Sequence, residues 1–191
     1  CGQITDGAAV VFLANARTAR EYAERRGLVL EDIPVIEGWG HRTTHIALAP
    51  KLEASADSDF VFPHVRGAIT DAFKRAGLQG VDDLDAIETH DCFTTTEYMA
   101  IDHFGITPPG ESWKAIEDGT IAMSGRLPIN PSGGLIGLGH PVGATGVRMM
   151  LDAWKQVTGQ AGDYQVAGAR RVATLNIGGS ATTTVCFIVS R

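Results

Sequence analysis

Three short segments carry the residue types that could do chemistry. The first is Asn130-Pro131-Ser132-Gly133-Gly134-Leu135-Ile136-Gly137-Leu138-Gly139-His140-Pro141-Val142-Gly143-Ala144-Thr145-Gly146, which sets six glycines and two prolines around a single histidine. Glycine at this density lets backbone amides come close to a ligand or another strand. An imidazole held in so rigid a loop can be aimed at a reacting group. A flexible linker would hold more serine and less proline. The second segment is His90-Asp91-Cys92-Phe93, at the mouth of a strand and just before a helix. A thiol near a helix N-terminus has its thiolate stabilised, which makes it a nucleophile or a base. The third is Asn176-Ile177-Gly178-Gly179-Ser180, a tight turn whose amides suit an oxyanion.

Each segment also has a plainer reading. His140 alone could cap a turn, a free cysteine is usually a small hydrophobe, and a glycine hairpin is common. What favours chemistry is a cysteine motif and a histidine motif in one chain. Nucleotide-binding readings of the glycine loop fail: no G-x-G-x-x-G follows a strand, and no Gly-Lys-Ser/Thr is present. A zinc site from His90, Cys92 and His140 matches no standard ligand spacing and lacks a fourth donor, so no metal is expected. Cys186 alternates within an apolar strand and is read as core, Cys1 as incidental, and His41, His45, His64 and His103 as structural or surface.

The whole composition frames these candidates. With 191 residues, 44% of them hydrophobic, the chain suits one globular domain, or one and a fragment, with a real core. A formal charge of -6 argues against a nucleic-acid surface. No apolar run approaches the roughly 20 residues of a membrane helix. Three widely spaced cysteines suggest free thiols in a reducing compartment, the cytoplasm of a bacterium or an equivalent. The opening Cys1-Gly2-Gln3-Ile4-Thr5-Asp6-Gly7 runs at once into an apolar segment, as in a fragment or a processed chain.

The elements that must position the three segments follow from periodicity. Ala8 to Ala14 reads as a strand covered on both faces. Ala16 to Arg26 reads as a helix stopped by Gly27. Ile33 to Ile46 reads as a strand with an irregular continuation, and Lys51 to Asp59 as a loop. His64 to Ala76 has a helical apolar stripe of Val65, Ala68, Ile69, Ala72 and Phe73. Leu84 to Glu88 is a short strand; Thr94 to Glu97 reads as a helix entry with Tyr98 to Phe104 as the helix body, and Ser112 to Asp118 and Gly143 to Val157 are helices. Arg171 to Asn176 and Thr182 to Val189 are strands joined by the glycine turn. Strands alternating with helices of 10–15 residues indicate an α/β layer fold with a mixed sheet.

Taken in order, His90-Asp91-Cys92-Phe93, Gly139-His140-Pro141-Val142-Gly143-Ala144-Thr145-Gly146 and Asn176-Ile177-Gly178-Gly179 resemble the C-terminal half of a thiolase. The opening Gln3 to Ala9 resembles the last strand of the N-terminal half. The resemblance implies a thiolase-like α/β/α fold with a five-stranded mixed sheet between helical layers. Residues 1–30 would be the last strand and helix of the N-terminal half, and 31–191 the C-terminal domain. Ordinary thiolases carry Asn-Glu-Ala-Phe where this chain has His90 to Phe93, and a second catalytic cysteine where it has Asn176. That paired change is similar to the sterol-carrier-protein type.

What the resemblance implies for function is reversible Claisen condensation or thiolysis of a 3-ketoacyl-coenzyme A through an acyl-cysteine. Cys92 would shuttle the proton at the α-carbon, His140 would activate the nucleophilic cysteine, and His90 would help bind the enolate oxygen. The Gly178 amide would contribute to the oxyanion hole, with Asn176 in the place of the displaced cysteine. Gly2 and Phe93 would contact the coenzyme A thioester, which is substrate; no other cofactor is implied. The nucleophile and the region gripping coenzyme A would come from an N-terminal half, in the same polypeptide or another chain. A homo-dimer or tetramer is expected by family likeness. A non-catalytic acyl-coenzyme A-binding or scaffold subunit, and a related aldolase, are the competing readings.

Overall fold

A computed structural model describes all of residues 1–191. Its centre is a four-stranded mixed sheet in the order β1-β4-β3-β2. The strands are β1 (Val35–Thr43), β2 (Ala86–Thr89), β3 (Arg171–Gly178) and β4 (Thr183–Ser190). β1 and β3 both run antiparallel to β4, while β2 runs parallel to β3. The parallel pair therefore delivers its two carboxyl ends to one edge of the sheet, where α/β folds place their ligands.

The chain has six helices, α1 (Ala16–Arg26), α2 (Leu48–Ser55), α3 (Pro63–Ala76), α4 (Thr94–Phe104), α5 (Ser112–Glu117) and α6 (Thr145–Thr158), of which α3 and α6 lie directly on the sheet. Side chains alternate across a strand, and here each face has its own core. Ile87, Ala173, Leu175, Cys186 and Ile188 pack with Ile69, Phe73, Ile101 and Phe104 of α3 and α4. Ala86, Val172 and Val189 pack on the other face with Ala153 and Val157 of α6. The apolar stripe expected on α3 is the buried one, and the helix stops at Gly77 with φ 71°.

The expected five-stranded sheet is corrected to four strands. Ala8 to Ala14 forms no strand, and Val10, Phe12 and Leu13 are exposed. An apolar run becomes a strand only where a neighbour completes its backbone hydrogen bonds, and no strand of this chain stands beside it. Lys51 to Asp59, expected as a loop, begins instead within α2, and Lys51 is buried. His103, expected as structural or surface, is structural: it is buried, with Nδ1 against Met99 O and Asp102 Oδ1 (both 2.6 Å), while Nε2 accepts from Phe62 N at 3.1 Å.

Helix α3 lies on β1 with almost no gap because β1 presents Gly38 and Gly40 to it. A Cβ at Gly40 would overlap the Ala68 carbonyl, and one at Gly38 the Ala72 carbonyl. Gly40→Ala forces strand and helix apart, an overpacking that typically costs about 1–3 kcal/mol. The expected result is a urea midpoint lowered accordingly with an unchanged slope; a midpoint equal to wild type would show that the approach can relax freely.

Candidate active site

The three chemical segments meet at the carboxyl ends of β2 and β3. His90 extends β2 by one rung, its amide donating to Leu175 O at 2.9 Å. By strand alternation Glu88 and His90 share the face covered by α6. Asn176, on β3, faces the same helix: its Nδ2 lies 3.2 Å from Met149 Sδ, and its side chain neighbours Gly146.

His140 closes over this edge. Its ring meets that of His90 edge-on, with centroids 5.1 Å apart and planes at 88°. His140 Nδ1 is 2.8 Å from Thr145 Oγ1, whose hydroxyl also lies 3.2 Å from Pro141 O. The contact engages Nδ1, so Nε2 is the ring nitrogen left for a reacting group. Burial, with help from the neighbouring His140, pushes the His90 imidazole down to about 4, so that ring is neutral near pH 7. His90 Nδ1 is enclosed without a partner. An enclosed acceptor is tolerated better than an enclosed donor, which assigns the His90 proton to Nε2.

Asp91 is the pin between the first two segments. Its buried carboxylate accepts from Leu135 N at 2.5 Å and from Ile136 N at 3.5 Å. Those amides belong to a π-helical turn, Gly134–Leu138, in which Gly134 has φ 62° and leaves no room for a Cβ beside Asp91. The glycines of this loop thus serve a backbone-to-carboxylate contact. Asn130, at φ 51°, fixes the loop's other end by accepting from Thr89 N at 2.7 Å and donating to Glu97 at 2.8 Å. Burial raises the Glu97 carboxyl above its ordinary range.

Cys92 is half-buried between Asp91 and the start of α4, and its carbonyl accepts from Gly2 N at 2.7 Å. The amino-terminal segment then crosses to the other motif, where Thr5 Oγ1 accepts from His140 N at 2.8 Å and Ile4 pairs with His140 in a parallel bridge. Gly2 is hemmed by Leu135 O, which a Cβ would meet at 3.2 Å, whereas Phe93 is largely exposed. Thr5 to Ala9, Pro141 to Ala144 and Val147 border an open cleft of about 490 Å³.

The third segment is a left-handed turn. Gly178 ends β3, exposed, and Gly179, Ser180 and Ala181 follow with φ of 57°, 54° and 61°. Lys51 Nζ donates to Ser180 O, and His64 Nε2 lies 2.6 Å from Ala181 O. With those carbonyls gripped from behind, the amides of Gly179, Ser180 and Ala181 donate to nothing in the chain. His64, expected as structural or surface, is structural here, while Lys51 is a support of the turn that sequence reasoning missed. Nothing in the local pattern marks a lysine that tertiary packing buries. Cys186 is wholly buried, which pushes its thiol up and leaves it inert. No three His, Cys, Asp or Glu side chains converge as metal donors, and no helix is long and apolar enough to cross a membrane.

Residues 47–191 match the family described as "Thiolase C-terminal domain-like". The chain is similar to an acetyl-CoA acetyltransferase of Methanothermobacter thermautotrophicus, 38% identical over all of this chain and 46% of that protein. It is similar to sterol carrier protein 2 of Rattus norvegicus, 30% identical over 97% of this chain and 33% of that protein. Its fold resembles that of a solved "Ltp2-ChsH2(DUF35) aldolase", with a TM-score of 0.67 and 22% identity over 82% of this chain and 39% of the other. The chain spans half or less of the length of these proteins.

Proposed function

Since the chain belongs to the thiolase family through its C-terminal domain, we propose that it is the C-terminal portion of an acyl-coenzyme A acyltransferase. The reaction is reversible Claisen condensation or thiolysis of a 3-ketoacyl-coenzyme A. The nucleophilic cysteine comes from an N-terminal half, to which residues 1–30 belong by likeness. The observation that carries the reading is the paired imidazoles of His90 and His140, edge-on with centroids 5.1 Å apart.

In this reading His140 Nε2 takes the proton of the nucleophilic thiol, while Nδ1 stays engaged by Thr145. His90, neutral, offers Nε2–H to the enolate oxygen that forms when the α-carbon loses its proton. In condensation Cys92 takes that proton as thiolate while the enolate carbon attacks the acyl-cysteine and expels its thiolate; in thiolysis Cys92 as thiol gives a proton to the enolate carbon that cleavage leaves. The Gly178 amide contributes a donor to the tetrahedral intermediate, beside the free amides of the turn held by Lys51 and His64. Asn176 fills the space of a displaced cysteine, and Gly2 and Phe93 line the approach of the thioester. Free thiols at Cys1, Cys92 and Cys186 fit a reducing compartment.

The test is the complete polypeptide given acetoacetyl-coenzyme A and free coenzyme A. The expected result is acetyl-coenzyme A at a rate set by both substrates. Binding of the thioester without turnover would support the scaffold reading, and carbon-carbon cleavage that needs no free coenzyme A would support the aldolase.

A further inference from the structure

Beneath the paired imidazoles lies a buried set of charged groups that the proposed chemistry does not use. Glu88 is fully buried on β2, two residues before His90 and on the same face. Its carboxylate accepts from both the amide and the hydroxyl of Ser132, at 3.1 and 2.7 Å. Ser132 sits in the loop that leads to His140. Its hydroxyl oxygen in turn accepts from Arg148 Nη1 at 3.2 Å and from Gly134 N at 3.3 Å. Arg148 is on α6, one turn after Thr145, and pairs with the buried Asp152 at 2.7 Å. Tyr164 donates to Asp152 at 3.0 Å, and Lys155 stands 3.7 Å from it.

These bonds join the three elements that carry the histidines. β2 bears His90, the Asn130–Gly139 loop ends at His140, and α6 begins with the threonine that orients His140. Each element contributes to the network, β2 through Glu88, the loop through Ser132 and α6 through Arg148 and Asp152, and Ser132 is its crossing point. Arg148 is itself largely enclosed, and its Nη1 spans Ser132 and Asp152. From this we infer that Glu88, Ser132, Arg148 and Asp152 are positioning residues that set the spacing and orientation of the His90–His140 pair. The inference concerns ring geometry within this chain and depends on the proposed function only for its purpose.

The direction of one hydrogen bond decides what happens when Glu88 changes. Ser132 Oγ already accepts from Arg148 and Gly134, so its own proton must go to Glu88. Glu88→Gln offers an N–H where an acceptor stood, or turns its amide and confronts the Ser132 N–H instead. Either way Ser132 is unsettled. Protonated Glu88 has one acceptor fewer in the same way. Burial raises this carboxyl to about 7 against an ordinary 4.5, with Asp152 adding to the rise and Ser132 and Arg148 opposing it. The folded chain therefore holds a proton that the unfolded chain releases between about pH 4.5 and 7. Stability falls as pH rises through that window and levels above it.

The experiment reads the imidazole signals and the ring-to-ring nuclear Overhauser effect of His90 and His140 by NMR in the complete polypeptide with labelled histidine. Expected for Glu88→Gln is a shift of both ring signals and a weakened ring-to-ring effect at pH 8, with His103 and His41 unchanged. The difference from wild type should shrink toward pH 5.5, where wild-type Glu88 is itself protonated. The stability slope between pH 4.5 and 7 should flatten in the variant. Ser132→Ala should reproduce the ring shift, and Ser132→Thr, which keeps the hydroxyl, should restore it. Wild-type ring signals and ring-to-ring effect in Glu88→Gln at pH 8 would overturn the inference. If that variant does not fold, Ser132→Ala with wild-type rings overturns it equally. A ring shift in these variants together with no thiolysis by the complete polypeptide would reject the proposed function and leave the positioning role standing.

Discussion

His140→Ala in the complete polypeptide should lower kcat/KM for thiolysis of acetoacetyl-coenzyme A by about 10³–10⁴-fold. General acid–base catalysis by one positioned group contributes about 10²–10⁴-fold, and His140 is assigned the activation step on which the acyl-cysteine depends. The hydrogen bond to Thr145 and the edge-on contact with His90 leave Nε2 as its reactive nitrogen. The loss should fall on kcat, since nothing here makes His140 an anchor for coenzyme A. His140→Asn should lose as much, because an amide has no basic lone pair to replace the imidazole. The chain should stay folded, as the His140 amide bond to Thr5 and the π-helical turn do not involve the ring. Wild-type turnover in His140→Ala would remove the acid–base role altogether.

Cys92→Ala is the second large effect, and it should separate the two halves of the reaction. The variant should still form an acyl-enzyme on the nucleophilic cysteine, while exchange of the α-protons of acetyl-coenzyme A with D₂O falls about 10²–10⁴-fold. Exchange is followed by NMR of the acetyl methyl signal, and acylation by intact mass. Cys92 lies next to a carboxylate locked to two backbone amides, so its backbone is fixed. Methyl for thiol then removes a proton carrier without moving the loop. Exchange at the wild-type rate would move the proton shuttle to another group.

Much of this was legible in the sequence, for identifiable reasons. Helices α3 and α6 and strands β3 and β4 are amphipathic or alternating over enough residues for periodicity to define them. His140 stands out as an imidazole among six glycines, and His90 and Cys92 as an imidazole and a thiol two residues apart just before a helix. Ala8 to Ala14 misled because an apolar run records that something covers a segment and not which chain supplies the cover. Helix α2 escaped because its one buried contact is a lysine, Lys51, that looks like any solvated lysine. Glu88, Arg148 and Asp152 were invisible for the same reason, since burial of a charge is a tertiary fact. Gly38 and Gly40, two residues apart on one face of a strand, were the readable signal that went unused.

The amino-terminal segment touches the carbonyl beside the thiol and the amide of the imidazole-bearing residue within five residues. A shift of residues 2–5 is therefore felt at Cys92 and at His140 together, so this short backbone segment ties the two motifs into one mechanical unit.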